Sequence, residues 1–507
     1  MSTNDAFLAF SRFGLGARPG DLAGLTGDPK AALLAEIADP TALFLDDAGL
    51  PSTIDAFALV RSFQKARQTQ RKAANAAAGD AASAAPGPGM AAMAPDAGMP
   101  AGMTGMGSTE MAAPPGNRPA GGKPGASGKP NPALKADPSN PGNLLTAELA
   151  ARLDRARSVP IGFGERLVAF WANHFAVQAA ANEIVRGLAG AFEREAIRPN
   201  VLGSFGDLVL AATQHPAMLM SLNNASSIGP NSPQGQKTGK GLNENHAREL
   251  MELHTVGVDG GYTQADVTAF AKVLTGWTFG RAESQPAFYG RFQFRKPAHE
   301  PGPQQVMGKI YAQRGIDQGE AVIADLANSA ATARHIATKL ARHFVADDPD
   351  PKLVAQLAGV FSKTHGDLMA VTKALVEAPE AWAAPRQKLK TPQEFLWSAV
   401  RALGLDPKPE LIGRGLADLG QPLWNPPSPQ GFKDDAATWL APDAMTTRVE
   451  VAELLAAQDK STTDPQALAT DLFGTTLSPD TATSIGRAES RGQGIALLLM
   501  SPEFQRR

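Results

Sequence analysis

The chain has 507 residues, an ordinary hydrophobic fraction of 43% and a formal net charge of −2. That length can bury a large core, wholesale disorder is excluded, and no basic excess calls for a nucleic-acid partner. There is no cysteine, so disulfides, thiolate zinc sites and cysteine nucleophiles are excluded too.

The first 20 residues, MSTNDAFLAFSRFGLGARPG, lack a basic stretch followed by an apolar core, so no ordinary signal peptide is expected. No segment approaches the ~20 continuous apolar residues of a membrane helix, and a cytoplasmic protein is the default expectation. Residues 1–72 read as a helical N-terminal part, ending in IDAFALVRSFQKARQ. Residues 73–143 change character: Ala, Gly, Pro, Ser and Met dominate, with no aromatic residue and no sustained period. Such a tract cannot offset its ordering entropy by burial, so a long disordered insertion is expected here. Its methionines (Met90, Met93, Met99, Met103, Met106 and Met111) could in principle hold copper(I), but a low-complexity tract that uses methionine explains them better.

Residues 144–507 continue the same domain. Their dominant period is helical, in GERLVAFWANHFAVQAA, TQADVTAFAKVLTGW and QEFLWSAVRALG among others, with Gly and Pro between. Thr263–Asp266 forms a capping-box pattern. Phe292–Arg295 alternates as a strand would, and residues 305–311 are expected to pair with it across a loop holding His299 and Glu300. The expected fold class is therefore mainly α: a multi-helix globular domain with at most a small β-hairpin and the long insertion.

The densest chemistry lies at residues 243–257, where three carboxylates, two imidazoles, two carboxamides and one guanidinium fall on a single predicted helix. Asn243 or Asn245 can cap its start and Gly257 its end. At ~100° per residue, Asn245, Arg248, Glu249 and Glu252 share one arc. Such an arc is usually a solvated face, but two carboxylates whose pKa values are driven apart can divide acid and base work. Asn243, Glu244, Asn245, Arg248, Glu249 and Glu252 are the candidate catalytic residues. His254 falls on the apolar side and reads as a core histidine, as does His174 beside Phe170 and Trp171. Trp277, Trp424 and Trp439 could stack on sugars. The P-loop, HExxH, nucleophile-elbow and dinucleotide patterns are all missing, so no cofactor is indicated.

In order along the chain come Phe-Leu-Ala-Phe-Ser-Arg-Phe-Gly-Leu-Gly, Phe-Trp-Ala-Asn-His-Phe, Gln-His-Pro-Ala-Met-Leu, Asn-Glu-Asn-His-Ala-Arg-Glu-Leu-Met-Glu-Leu-His-Thr-Val-Gly, Leu-Thr-Gly-Trp, Lys-Leu-Ala-Arg-His-Phe-Val, Trp-Asn-Pro-Pro-Ser-Pro-Gln-Gly and Ser-Pro-Glu-Phe-Gln. Together they resemble the bacterial family known as domain of unknown function 1800 (DUF1800). The resemblance implies that Asn243, Glu244, Asn245, Arg248, Glu249 and Glu252, with His174 and His299, outweigh His246 and His254. It also implies export and a partner of the domain-of-unknown-function 1501 type, although no signal peptide is visible.

Three functions follow as expectations. The first is a hydrolase, on glycans, using the helix carboxylates, with Trp277, Trp424 and His299 as binding residues. The second is a metal- or haem-binding enzyme with His174 and His299 as ligands. The third is a non-enzymatic helical scaffold that docks a partner.

Overall fold

A computed structural model describes residues 3–39, 43–45, 49–83, 132–239, 241–383 and 385–507. Residues 1–61 and 138–507 form one unit, and residues 62–137 a second. The six methionines of the expected insertion lie outside the described residues.

The main unit is helical, as the periodicity predicts. Its helices start by a repeated device: a short polar residue followed by proline. Asp28, Asn140, Ser232, Asp350, Thr391, Asp464, Ser478 and Ser501 each precede a proline and each accepts a backbone N–H of the turn they open. The proline has no N–H to leave unsatisfied and its fixed φ suits the first helical position. The Thr263–Asp266 capping box forms as expected.

Helical segments reach into the tract read as disordered, and a short helix, Pro132–Lys135, lies wholly within it. The Thr53–Ser83 helix runs past residue 73 through KAANAAAGDAAS, and the Pro141–Ser158 helix starts before residue 144. Alanine, the strongest helix former, carries the first and the Asn140–Pro141 cap sets the second.

The strands depart from expectation in their pairing. Phe292–Phe294 (β2) pairs antiparallel with Trp277–Phe279 (β1), and Gln304–Val306 (β3) pairs with Lys309–Tyr311 (β4). Between β3 and β4 only Met307 and Gly308 intervene, both at positive φ (47° and 80°). That is the two-residue turn that favours a local hairpin, so β3 closes on its own neighbour and not on β2. Gly276, at φ 79°, likewise turns Trp277 out of the preceding helix and into a strand; an added Cβ would lie 2.7 Å from the Arg295 carbonyl.

The core is continuous through the helical unit and is rich in aromatic rings. Phe13 packs edge-on against Phe163 and stacked with Phe344, while Trp171 meets Phe175 and Phe205. Among the described residues no helix is long and apolar enough to cross a membrane.

Candidate functional site

The 243–257 segment is not one regular helix. An α-helix spans Asn245–Glu249, and Leu250–His254 continues it as a π-helical turn. Such widened turns cost hydrogen-bond geometry and recur at functional sites. The end is closed by Gly257, at φ 83°, whose N–H reaches the Met251 carbonyl. Asn243 supplies the start, its Oδ1 accepting the Asn245 N–H at 2.9 Å.

The polar arc forms as expected: Asn245, Arg248, Glu249 and Glu252 are all half-buried. Most of it is already engaged. Glu244 accepts from the Thr268 hydroxyl at 2.6 Å and from Gln264 Nε2 at 2.8 Å, and lies 3.4 Å from Arg248. The Thr268 bond, opposed by partial desolvation and helped by Gln264 and Arg248, holds its carboxyl below the ordinary range. Arg248 also meets Glu252 at 3.2 Å and donates to Gln264 Oε1 at 2.7 Å. Burial, and then Glu252 beside it, push the Tyr262 hydroxyl up to about 12. Asn245 Nδ2 donates to the Leu222 carbonyl at 3.4 Å. Glu249 differs from the other acids: among the described residues no ion pair or hydrogen bond engages its side chain, and burial, then the Glu252 charge, raise its pKa. Glu249 is thus pushed toward its protonated form.

His174, His246, His254 and His299 are all buried. His174 donates from Nε2 to the His254 carbonyl at 3.1 Å, which fixes its tautomer because a carbonyl can only accept. Its ring packs among Phe170, Trp171 and Phe175, and burial, with Lys339 adding to it, keeps it neutral well below the usual histidine range. His246 is fully buried with neither ring nitrogen partnered, and burial drives its pKa to about 3. His299 is buried elsewhere, 3.0 Å from the Thr275 carbonyl through Nδ1 and edge-on to Phe294. His174 and His299 share no neighbour in these contacts, so the structure does not bring them together. Among the described residues no three His, Asp or Glu side chains converge as a metal site requires.

Trp277 is 0% exposed, packed against Phe292 and over Gly319, and presents no face to a ligand. Trp424, at φ 46°, donates to Glu193 at 3.2 Å while Arg152 covers its ring. Trp439 is buried and donates to the Lys433 carbonyl at 3.1 Å. Neither adjoins the 243–257 arc.

A second concentration of charge lies where the Phe163–His174, Ala330–Phe344 and Pro392–Ala402 helices meet residues 421–435. Asn173 clamps this turn, donating to the Phe432 carbonyl at 2.9 Å and accepting the Phe432 N–H at 2.8 Å. Gly431, at φ 84°, is required there, because a Cβ would stand 2.4 Å from the Asn173 carbonyl. The clamp presents Asp434 to His343 Nδ1 at 2.5 Å and to Arg507 at 3.0 Å. Glu394 bridges Arg507 at 2.8 Å and Arg166 at 2.9 Å. Burial alone would raise Asp434, but His343, Arg507 and Lys388 overcome it and hold the carboxyl well below its ordinary range. A cavity of about 360 Å³ opens beside this network, lined by Phe170, His174, Lys339 and Asp434 among others.

A family model described as "Protein of unknown function (DUF1800)" matches residues 8–506. The chain belongs to the DUF1800 family. No curated protein and no solved structure matches it. In this DUF1800 chain, sequence reasoning located the 243–257 arc and missed the Glu394–Asp434 network. Two of the stretches that carried the resemblance, Lys339–Val345 and Trp424–Gly431, border that network. Its charges are scattered over residues 166 to 507, so no local window holds them together.

Proposed function

We propose that this DUF1800 protein is a hydrolase acting on an extended polymer, of the glycan class, with its acid–base pair on the Asn245–His254 segment. The observation that carries the reading is Glu249: half-buried, without a hydrogen-bond or ion-pair partner among the described residues, and raised in pKa beside Glu252, which Arg248 meets at 3.2 Å. Glu249 would give its proton to the bridging oxygen as the glycosidic bond breaks. Glu252 would take a proton from the water that adds to the anomeric carbon. Glu244 has a lowered pKa and is bound to Thr268, Gln264 and Arg248, so it positions Arg248 and is not a proton donor. The arc is open to solvent, which suits a polymer laid across it better than an enclosed small molecule.

The test is a panel of polysaccharides offered to the purified full chain, followed by Glu249→Gln and Glu252→Gln. On any polymer that the chain cleaves, each variant is expected to lose about 10²–10⁴-fold in kcat/KM. Wild-type activity in both variants, or no cleavage of any polymer, rejects the reading.

A second reading rests on the engagement of Asn243, Glu244, Asn245 and Arg248, which ties the segment to Ser227, Leu222, Gln264 and Thr268. Here the arc is an ion-pair brace in a helical scaffold. The docked partner is of the domain-of-unknown-function 1501 type, as the family resemblance implies. Co-purification of that partner with both glutamine variants, alongside a lower thermal stability of Glu252→Gln, favours the brace.

A further inference from the structure

The cavity beside the Ala330–Phe344 helix has no part in the proposed hydrolysis, and acids and cations both line its wall. Three acids line it, and each is engaged. Asp434 is held by His343 and Arg507. Asp347 meets Lys388 at 2.5 Å and accepts the Ala436 N–H at 2.8 Å. Asp435 caps the Ala436–Trp439 turn through the Thr438 N–H and hydroxyl. The cations on the wall are Lys339, Arg342 and Lys433. Asp347 and Asp434 take their ion pairs from Lys388 and Arg507, so among the described residues none of these three cations is paired with a wall acid. Arg342 spends its Nε on the Asp347 carbonyl at 3.0 Å, and Lys433 is exposed at the turn. Lys339 is the cation set into the wall itself: half-buried, next to His174, and without a side-chain hydrogen bond or ion pair.

We infer that this cavity is a binding site for a small organic anion, a carboxylate or phosphate group, with Lys339 as the residue that pairs with it. The volume of about 360 Å³ is in the range of small-molecule sites, and Phe170 and Phe432 supply apolar wall for the body of the ligand. Lys339 is a costly residue to bury in the cavity wall. Burial lowers its pKa to about 8, Asp434 opposes that from a distance and Arg342 adds to it. A bound anion would repay the desolvation with a charge-assisted hydrogen bond. Neutral His174 cannot compete for the anion, because its Nε2 proton is committed to the His254 carbonyl.

The experiment is calorimetric titration of the full chain at pH 7 with inorganic phosphate, with succinate, and with uncharged succinamide as the control. Saturable binding of phosphate or succinate and none of succinamide is expected; which of the two binds more tightly names the anion. Lys339→Met should weaken that binding at least tenfold while keeping the fold, since it removes an unpaired cation. Lys339→Arg should keep part of it, and exposed Arg334→Met should keep all of it. The inference fails if neither anion binds, if succinamide binds equally well, or if Lys339→Met binds like the wild type. Should the methionine variant not fold, Lys339→Gln makes the same comparison. The glutamine variants of Glu249 and Glu252 leave this titration unchanged, so the two proposals fail separately.

Discussion

Glu252 meets Arg248 at 3.2 Å with the two side chains 26% and 36% exposed, whereas Glu394 meets Arg507 at 2.8 Å with exposures of 9% and 0%. The chemistry of the two pairs is alike and their surroundings are not. Water screens the first pair and would solvate either partner if the other were lost. The second pair has exchanged water for its neighbours: Glu394 also holds Arg166, and Arg507 also holds Asp434 and the His343 carbonyl. The difference teaches where each region can bear change. The open arc can alter its protonation or its partner at low cost, as a working acid–base site must. The closed network locks the wall of the adjacent cavity.

The sharpest way to break the comparison is Glu394→Ala. It strips Arg166 of its carboxylate partner in the interior and leaves Arg507 with Asp434, and removing one member of a buried pair costs about 3–5 kcal/mol. Thermal or urea unfolding should show a loss of that size; a loss below ~1 kcal/mol would put the network on the same footing as the surface. An intermediate effect comes from acid. Asp434 and Glu394 have folded pKa values below their unfolded ones, so their contribution is complete above the ordinary carboxylate range near ~4 and is lost as pH falls through it. Glu249 has the opposite sign: its raised folded pKa favours the protonated fold, and its contribution falls as pH rises past ~4.3. Stability measured from pH 7 down to 3 should therefore decline more gently in Asp434→Asn, which starts lower, while Glu249→Gln at pH 7 matches or slightly exceeds the wild type. Parallel curves for all three proteins would contradict the assignment. The smallest effect is expected for Arg248→Ala: below about 1 kcal/mol, and smaller still at high salt. A larger, salt-insensitive loss would mean that the arc is as load-carrying as the interior.

The fold class was legible because helical periodicity and polar–proline caps are local signals, carried by residues such as Asp350–Pro351 and Thr391–Pro392. The strands at 292–294 and 304–311 were legible as segments but not in their partners, since pairing depends on the Met307–Gly308 turn and on Gly276. The polar arc could be read because its members lie within one short segment. Its π-helical half could not, because a regular 100° step was assumed through Leu250–His254. Trp277 was a reasonable stacking candidate by type, yet only the tertiary fold shows that β2 and Gly319 cover it. The Glu394–Asp434 network had no sequence signal of its own: Arg166, His343 and Arg507 are ordinary charged residues until five separate segments bring them to one place.

The position of Arg507 also imposes an order of events during synthesis. Its guanidinium is the shared partner of Glu394 and Asp434, and it lies 113 residues beyond Glu394. At roughly 5–20 residues per second, translation leaves Glu394 and Arg166 waiting on the order of ten seconds for that guanidinium. The helices around them can form while the chain is still on the ribosome. The ion pairs of Arg507 with Glu394 and Asp434 form only after residue 507 has emerged.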